Sequence, residues 1–188
     1  AAQKLDMEGI TLDGKGGFWV ASEGNTEKLV PHALYNINAK GEIKSEIALP
    51  KELLEGETRF GFEGITMIGK GDDATLWMAV QREWGNDPKG SVKLVSYNPK
   101  SKEWGAVRYP LDKAPQGGWI GLSEITAFGN HVYIVERDNQ IGDKAKTKKL
   151  YSVAISDLKP AKVGGDLPLV AKQEVHDFLP DLKAQTNG

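Results

Sequence analysis

The sequence contains no cysteine, and this absence excludes disulfide bonds and thiolate metal sites. It has no apolar run long enough to span a bilayer, and its first ten residues lack the charged, apolar and cleavage segments of a signal peptide. Neither sign of charge dominates, because 24 Lys and Arg residues stand against 26 Asp and Glu residues. The composition therefore predicts no membrane span and no nucleic-acid partner.

Helical segments are also scarce, since only residues 50–56 and 178–185 could form a turn or two of helix. Apolar runs rich in aromatic and β-branched residues recur instead, each bounded by turns that contain glycine. They predict β-strands at "FWVASE" (18–23), "LWMAVQ" (76–81) and "HVYIVE" (131–136). Two further strands are predicted in each unit, over residues 34–38 and 44–50, 93–98 and 104–110, and 149–155 and 169–178.

The three predicted strands at 18–23, 76–81 and 131–136 each belong to one repeat unit with the two strands that follow. A short acidic motif precedes these strands in each unit, as "DMEGIT", "FEGIT" and "LSEIT". The motifs place Glu8, Glu63 and Glu124 at intervals of 55 and 61 residues, which indicates an internal repeat. Four strands per repeat predict an all-β fold, a β-propeller of four-stranded blades.

Three blade units are predicted, over approximately 5–60, 61–121 and 122–188, within one partial domain that covers 1–188. Propellers usually have four to eight blades, so three cannot close a ring, and a larger, six-bladed ring is the expectation. An open arc would expose two apolar blade faces. We therefore expect the remaining blades to come from a second polypeptide or from a missing segment.

The first strand of each blade lines the central channel, so Glu8, Glu63 and Glu124 are predicted to converge at one rim. Carboxylates that lie close together repel one another unless a cation, an arginine or a proton compensates them. The three residues therefore predict a hard-cation site, with Ca²⁺ as the expected ion, or an ion-pair cluster. The alternative is that each glutamate accepts backbone N–H bonds and only ties neighbouring strands together.

Polar residues also end the second strand of each unit, and Glu23, Gln81 and Glu136 are predicted to occupy matching places. Arg82 and Arg137 follow two of them directly. A planar guanidinium group suits bidentate binding of phosphate or carboxylate, so both arginines are candidate anion ligands. Equally, they could neutralise the adjacent acids in a buried network.

The segment "RDNQIGD" (137–143) gathers Asp138, Asn139 and Asp143 around a glycine, and its oxygens could hold calcium. Its spacing does not match an EF-hand loop, and a solvated turn is the preferred interpretation. The three histidines are too scattered to form a zinc pair.

Taken together, "DMEGITLDGKGGFWVASEGN", "RFGFEGIT", "LWMAVQREW" and "VERDNQIG" resemble the phytase-like esterase family over most of the chain. The resemblance implies a β-propeller that is exported to a periplasmic or extracellular location. It also implies hydrolysis of phosphate or other esters, with calcium assisting. The family motif positions carried over are Glu8, Glu23, Glu63 and the run 136–138.

These observations lead to the hypothesis of a calcium-assisted phosphoesterase or esterase that acts on a small phosphorylated or ester substrate at the channel rim. The alternative is a non-catalytic propeller that binds a ligand or a protein and uses its acids for stability. The predicted residues fall into three sets: metal ligands Glu8, Glu63 and Glu124; catalytic residues Glu136, Arg137 and Arg82; and substrate-binding residues Arg82, Arg137 and Glu23.

Overall fold

The computed structural model describes residues 5–186, and nearly all of its regular structure is β-sheet. The first sheet contains β1 (Met7–Leu12), β2 (Phe18–Ser22), β3 (Ala33–Ile37) and β4 (Ile43–Ala48), hydrogen-bonded in chain order. A single helical turn, α1 (Lys51–Leu54), follows in the first segment predicted to hold helix. The antiparallel order confirms the predicted run of four strands in this unit.

The second sheet repeats this pattern with β5 (Phe62–Ile68), β6 (Thr75–Val80), β7 (Ser91–Tyr97) and β8 (Trp104–Pro110). A short fifth strand, β12 (Ala161–Lys162), pairs with the outer edge of β8. The third sheet contains β9 (Ile120–Phe128), β10 (His131–Asp138), β11 (Lys148–Ala154) and β13 (Gln173–Asp177). The chain then forms helix α2 (Leu179–Thr186). The all-β prediction is therefore confirmed.

The segment between β11 and β13 leaves its own sheet and crosses back to the second one. Ala161 pairs with Ala106 of β8, and the Val170 N–H donates to the Arg108 carbonyl at 2.9 Å. The strand predicted over 169–178 is therefore too long, because its first residues bond to β8 and only the stretch from Gln173 joins the third sheet.

The three sheets pack face to face around two apolar cores. Trp19 and Leu34 of the first sheet lie in one buried cluster with Met78 and Val95 of the second. The second cluster joins the second sheet to the third, and its members include Trp77, Leu94, Val107, Leu122, Ile125 and Ile134. In the strands of the second sheet, successive side chains point to opposite faces. One face packs against the first sheet and the other packs against the third, as expected from the pleat of a β-strand.

The first strands of successive sheets, β1, β5 and β9, lie side by side along one side of the molecule. Glycine permits this close approach. A Cβ atom added to Gly9 would lie 2.8 Å from the Glu63 carbonyl oxygen, and one added to Gly64 would lie 2.5 Å from the Ile125 nitrogen. The predicted convergence of the first strands is therefore seen for these three sheets.

The outer faces of the first and third sheets carry exposed apolar side chains. Ile10 and Leu12 are exposed on β1, and Phe128 on β9 exposes 76% of its surface. The total number of blades and the closed ring remain predictions. Among residues 5–186, no helix has the length and apolar character needed to cross a membrane.

Candidate functional site

Strand pairing fixes which residues of the three sheets are equivalent. Each first strand carries a bulge near its acidic motif, and beyond the bulge a threonine faces an aromatic residue of the second strand. The equivalent pairs are Thr11 with Trp19, Thr66 with Trp77, and Thr126 with Tyr133. Counting back from these pairs gives a register that differs by one residue from the predicted alignment of the third unit.

In this register Glu8 and Glu63 are equivalent to Ser123, and Glu124 is equivalent to a glycine, Gly64. The predicted equivalence of Glu124 with Glu8 and Glu63 is therefore wrong. Glu124 accepts the N–H of its own neighbour Ile125 at 2.8 Å, and its carboxylate lies over the Gly64 backbone. These surroundings desolvate the carboxyl group and raise the pKa of Glu124.

The same slip affects the second strands, where Glu23 and Gln81 are equivalent to Arg137 rather than to Glu136. Successive strand residues point to opposite faces, so Arg137 lies on the site side of β10 and Glu136 on the other. The sequence already contains this register, because an alignment of "WMAVQ" with "YIVER" without a gap places Gln81 opposite Arg137. An alignment of "GFEGIT" with "GLSEIT" without a gap gives the same register.

Glu136 belongs to a buried ion-pair network formed with Asp112, Tyr151 and Lys172. Its side chain is fully buried; Oε2 accepts from Lys172 Nζ at 2.7 Å, and Oε1 accepts from the Asp112 N–H at 2.7 Å. Lys172 also bonds to Asp112 Oδ1 at 2.8 Å, and the Tyr151 hydroxyl donates to Asp112 Oδ2 at 2.6 Å. These bonds tie the crossing segment to the third sheet and give Glu136 a structural role, while its predicted catalytic role stays a prediction.

Asp138 is also structural. Its oxygens accept from the N–H groups of Lys146 at 2.6 Å and Thr147 at 2.8 Å, from Lys148 Nζ at 2.8 Å and from the Gln140 N–H at 3.0 Å. The residue is 1% exposed, so the predicted solvated turn is wrong for this side chain. Asp138 organises the loop between β10 and β11, and its lone pairs are already used.

Three carboxylates converge at the end of the first sheet, and we call Asp6, Glu8 and Glu23 the acidic cluster. One oxygen from each lies within 4.8 Å of the others. The Glu23 N–H donates to the Asp6 carbonyl at 2.7 Å, which holds the two loops together. Sequence reasoning missed Asp6, although it stands where the other two units have a glycine, Gly61 and Gly121.

The acidic cluster is electrostatically crowded. The pKa of Glu23 is raised to about 8, first by burial and then by the charges of Glu63, Asp6 and Glu8. Burial and the Glu8 charge raise the pKa of Glu63 to about 7, although nearby Arg137 opposes the shift. Burial and Asp6 also raise the pKa of Glu8. The raised pKa values of Glu8, Glu23 and Glu63 show that their charged forms are disfavoured, and either protonation or a compensating cation would relieve the repulsion.

Two buried oxygens beside the acidic cluster have no hydrogen-bond partner within residues 5–186. They are Oε1 of Glu23 and Oε1 of Gln81, whose side chain is only 8% exposed. The Gln81 amide nitrogen donates to Glu63 Oε1. A buried acceptor without a donor is costly, and a hard cation is one group that satisfies carboxylate and amide oxygens together.

A stack of alternating cations and rings lies next to the acidic cluster. The Arg82 guanidinium carbon is 4.5 Å from the Phe60 ring centre and 4.3 Å from that of Trp119. Arg137 lies 4.6 Å from Trp119, and Arg59 lies 4.6 Å from Phe60. We call these five residues the arginine stack. It contains both predicted anion ligands, and three members that sequence reasoning missed because they come from loops without periodicity.

A family model described as phytase-like, "Esterase-like activity of phytase", matches residues 1–187. The chain belongs to the phytase-like family. Membership in this family indicates an esterase-like or phosphatase-like activity. A search of curated proteins finds no match to this phytase-like chain.

Proposed function

We propose that this phytase-like chain hydrolyses small phosphate or other esters with the help of a divalent cation, Ca²⁺ in the first instance. The convergence of Asp6, Glu8 and Glu23 within 4.8 Å carries the proposal. Family membership supports the ester-hydrolase class. The arginine stack beside the carboxylates supports an anionic substrate.

The residues present fit a hard cation. Calcium prefers carboxylate and carbonyl oxygens. The unpartnered Oε1 of Glu23 already belongs to the acidic cluster, and the unpartnered Oε1 of Gln81 adds a neutral ligand atom. In this proposal Asp6, Glu8 and Glu23 hold the ion, and Gln81 completes its shell. Glu124, predicted earlier as a ligand, is not needed. A bound cation of this kind supplies charge neutralisation and polarises a phosphoryl or carbonyl oxygen.

Glu63 is the proposed proton acceptor. It occupies the bulge position next to the acidic cluster, and its carboxylate is oriented by the Gln81 amide. In that place it can take the proton that water releases during attack on the ester. Arg137, which donates from Nε to Ser123 Oγ at 3.0 Å, and Arg82 bind the substrate anion and stabilise the charge that develops in the transition state.

Hydrolysis assays test the proposal directly. Phosphate monoesters, phosphate diesters and carboxylic esters are incubated with the protein in Ca²⁺ or in chelator, and calorimetry measures Ca²⁺ binding in parallel. We expect one ester class to be hydrolysed only with the cation. The exposed Glu103→Gln serves as a matched control for Glu23→Gln. Equal rates with Ca²⁺ and chelator, or no turnover of any ester, would refute the proposal.

Two further expectations belong to this proposal. The exposed apolar faces at Ile10, Leu12 and Phe128 suit packing against further blades, supplied by a second polypeptide or by another segment. Members of the family are usually exported, which favours a periplasmic or extracellular location, where calcium is abundant. A non-catalytic binding role is the second candidate, favoured by the structural use of Glu136 and Asp138.

A further inference from the structure

Arginine is rare in this chain, yet it is concentrated at one place. The sequence has four arginines among its 24 basic residues, and three of them, Arg59, Arg82 and Arg137, belong to the arginine stack. Lysine serves the rest of the surface. A guanidinium group differs from an ammonium group by being planar, by stacking on rings and by donating in a fork. The concentration of arginine at this place therefore indicates that planarity, stacking and forked donation matter there, and not positive charge alone.

The rings fix how the guanidinium groups are presented. Arg82 contacts both Phe60 and Trp119, whose centres lie 5.7 Å apart, and Trp119 also contacts Arg137. When a ring contacts the face of a guanidinium group, the N–H edges can still donate, as Arg137 Nε does to Ser123 Oγ. The stack therefore orders side chains that would otherwise lose rotamer entropy on binding a ligand.

None of these three arginines forms a salt bridge with a carboxylate in the described part of the chain, residues 5–186. The fourth arginine behaves differently, since Arg108 pairs with the buried Asp87. Three adjacent like charges repel one another, and an anion bound among them would relieve this repulsion. The ends of the stack also approach the acidic cluster, because Arg59 interacts with Glu23 and Arg137 with Glu63.

We propose that Arg59, Arg82 and Arg137 form an oxyanion site that binds a tetrahedral dianion, such as a phosphate group, without any metal. Arg59 is the added ligand, and Phe60 and Trp119 are positioning residues that hold the forks in place. A tetrahedral dianion offers enough oxygens to engage three forks, whereas a carboxylate has two oxygens and one charge. Its use as the substrate anchor rests on the proposed hydrolysis, but anion binding itself does not.

Calorimetry in chelator, with inorganic phosphate, sulfate and acetate as probes, tests the site without turnover. We expect phosphate and sulfate to bind and acetate to bind much more weakly. Arg59→Ala should weaken phosphate binding about tenfold, the effect of losing one charge-assisted hydrogen bond. Arg59→Lys should recover only part of the loss, because lysine keeps the charge but not the fork. Lys40→Ala, an exposed and distant change, is the control.

Tryptophan fluorescence gives a second readout. The chain has five tryptophans, and phosphate should change mainly the emission of Trp119, which contacts Arg82 and Arg137, so Trp119→Phe should remove most of the change. Arg59 is exposed, so its variants should melt at the wild-type temperature. Phosphate binding in chelator without ester turnover would support this site while refuting the proposed hydrolysis. No binding by the wild-type protein, or equal binding by wild type and Arg59→Ala, would overturn it.

Discussion

At one equivalent position the first and third sheets of the phytase-like chain carry opposite charges, Glu23 in the first and Arg137 in the third. The bulge of the first strand and one position at the end of the second strand carry the site in each sheet. These two positions hold Glu8 and Glu23 in the first sheet, Glu63 and Gln81 in the second, and Ser123 and Arg137 in the third. One repeated backbone geometry thus produces an acidic end and a basic end.

These positions are therefore not all occupied by residues that serve stability alone. A purely structural repeat would keep one residue type at each place, as the threonine and aromatic pairs nearly do. Here the charge changes stepwise along the repeat, from Asp6 and the glutamates to Arg137. The acidic end suits a cation, and the basic end suits an anion, which are the two groups that metal-assisted ester hydrolysis must bring together.

The largest expected effect comes from removing the acidic end. The double variant Asp6→Asn with Glu23→Gln should lower calcium-dependent ester turnover about 1,000-fold, since a catalytic cation contributes several kcal/mol to transition-state stabilisation. Calorimetry should show that Ca²⁺ binding is lost, while phosphate binding in chelator persists. If the variant kept wild-type Ca²⁺ affinity, the acidic cluster would not be the metal site.

The two faces of β10 give the next contrast. Glu136→Gln should destabilise the fold by about 3 kcal/mol, because it removes the buried charge that pairs with the half-buried Lys172. Denaturant unfolding measures this loss, and the folded fraction should keep the wild-type kcat. A large drop in kcat at unchanged stability would instead support the predicted catalytic role of Glu136.

Arg137→Glu makes the basic end resemble the acidic end. Turnover of a phosphate ester should fall about 50-fold, because a charge-assisted hydrogen bond is lost and the substrate is repelled. KM should rise as well, and the pH profile should move to higher pH, since Arg137 lowers the pKa of Glu63. Arg108 is unsuitable as a control because it forms an ion pair with the buried Asp87 side chain, so Lys40→Ala is used again. An unchanged KM would contradict the assignment of the anion side.

The smallest expected effect is on pH-dependent stability. Glu23 and Glu63 have folded-state pKa values of about 8 and about 7, above the ordinary 4.5, so the folded state binds protons more tightly than the unfolded state. Without Ca²⁺, the melting temperature should therefore decline as the pH rises from 4.5 towards 8. Saturating Ca²⁺ should remove the decline, and Glu23→Gln should reduce it. A melting temperature that rises over this range would contradict the crowding of the cluster.

Much of the fold could be predicted from sequence because each strand carries its own local signal. The runs around Trp19, Trp77 and Tyr133 are apolar, contain aromatic and β-branched residues and are bounded by glycine turns, and all three form second strands. The crossing strand Ala161–Lys162 could not be predicted. It has only two residues, and its pairing depends on where β8 lies in space.

The site was predicted in part for a related reason. Glu8, Glu23, Glu63, Arg82 and Arg137 do gather at one end of the sheets. The alignment of the third unit followed its glutamate, and a slip of one residue moved the wrong side chains to the site face. The remaining residues of the site, Asp6, Arg59, Phe60 and Trp119, lie in loops, where the sequence has no periodic pattern that predicts contacts. Only tertiary packing brings the loop before β5 against the loop before β9.

The crossing strand also bears on how the chain is made. β8, Trp104–Pro110, leaves the ribosome well before residues 161–162. Until those residues have been synthesised, the backbone groups of Gly105 and Ala106 that pair with them have no hydrogen-bond partner from β12. An unpaired strand edge is a template for pairing with another chain. Nascent chains that end between these two points would expose that edge. Co-aggregation during translation should therefore depend on the length of the emerging polypeptide, and slowing synthesis within this interval should increase it.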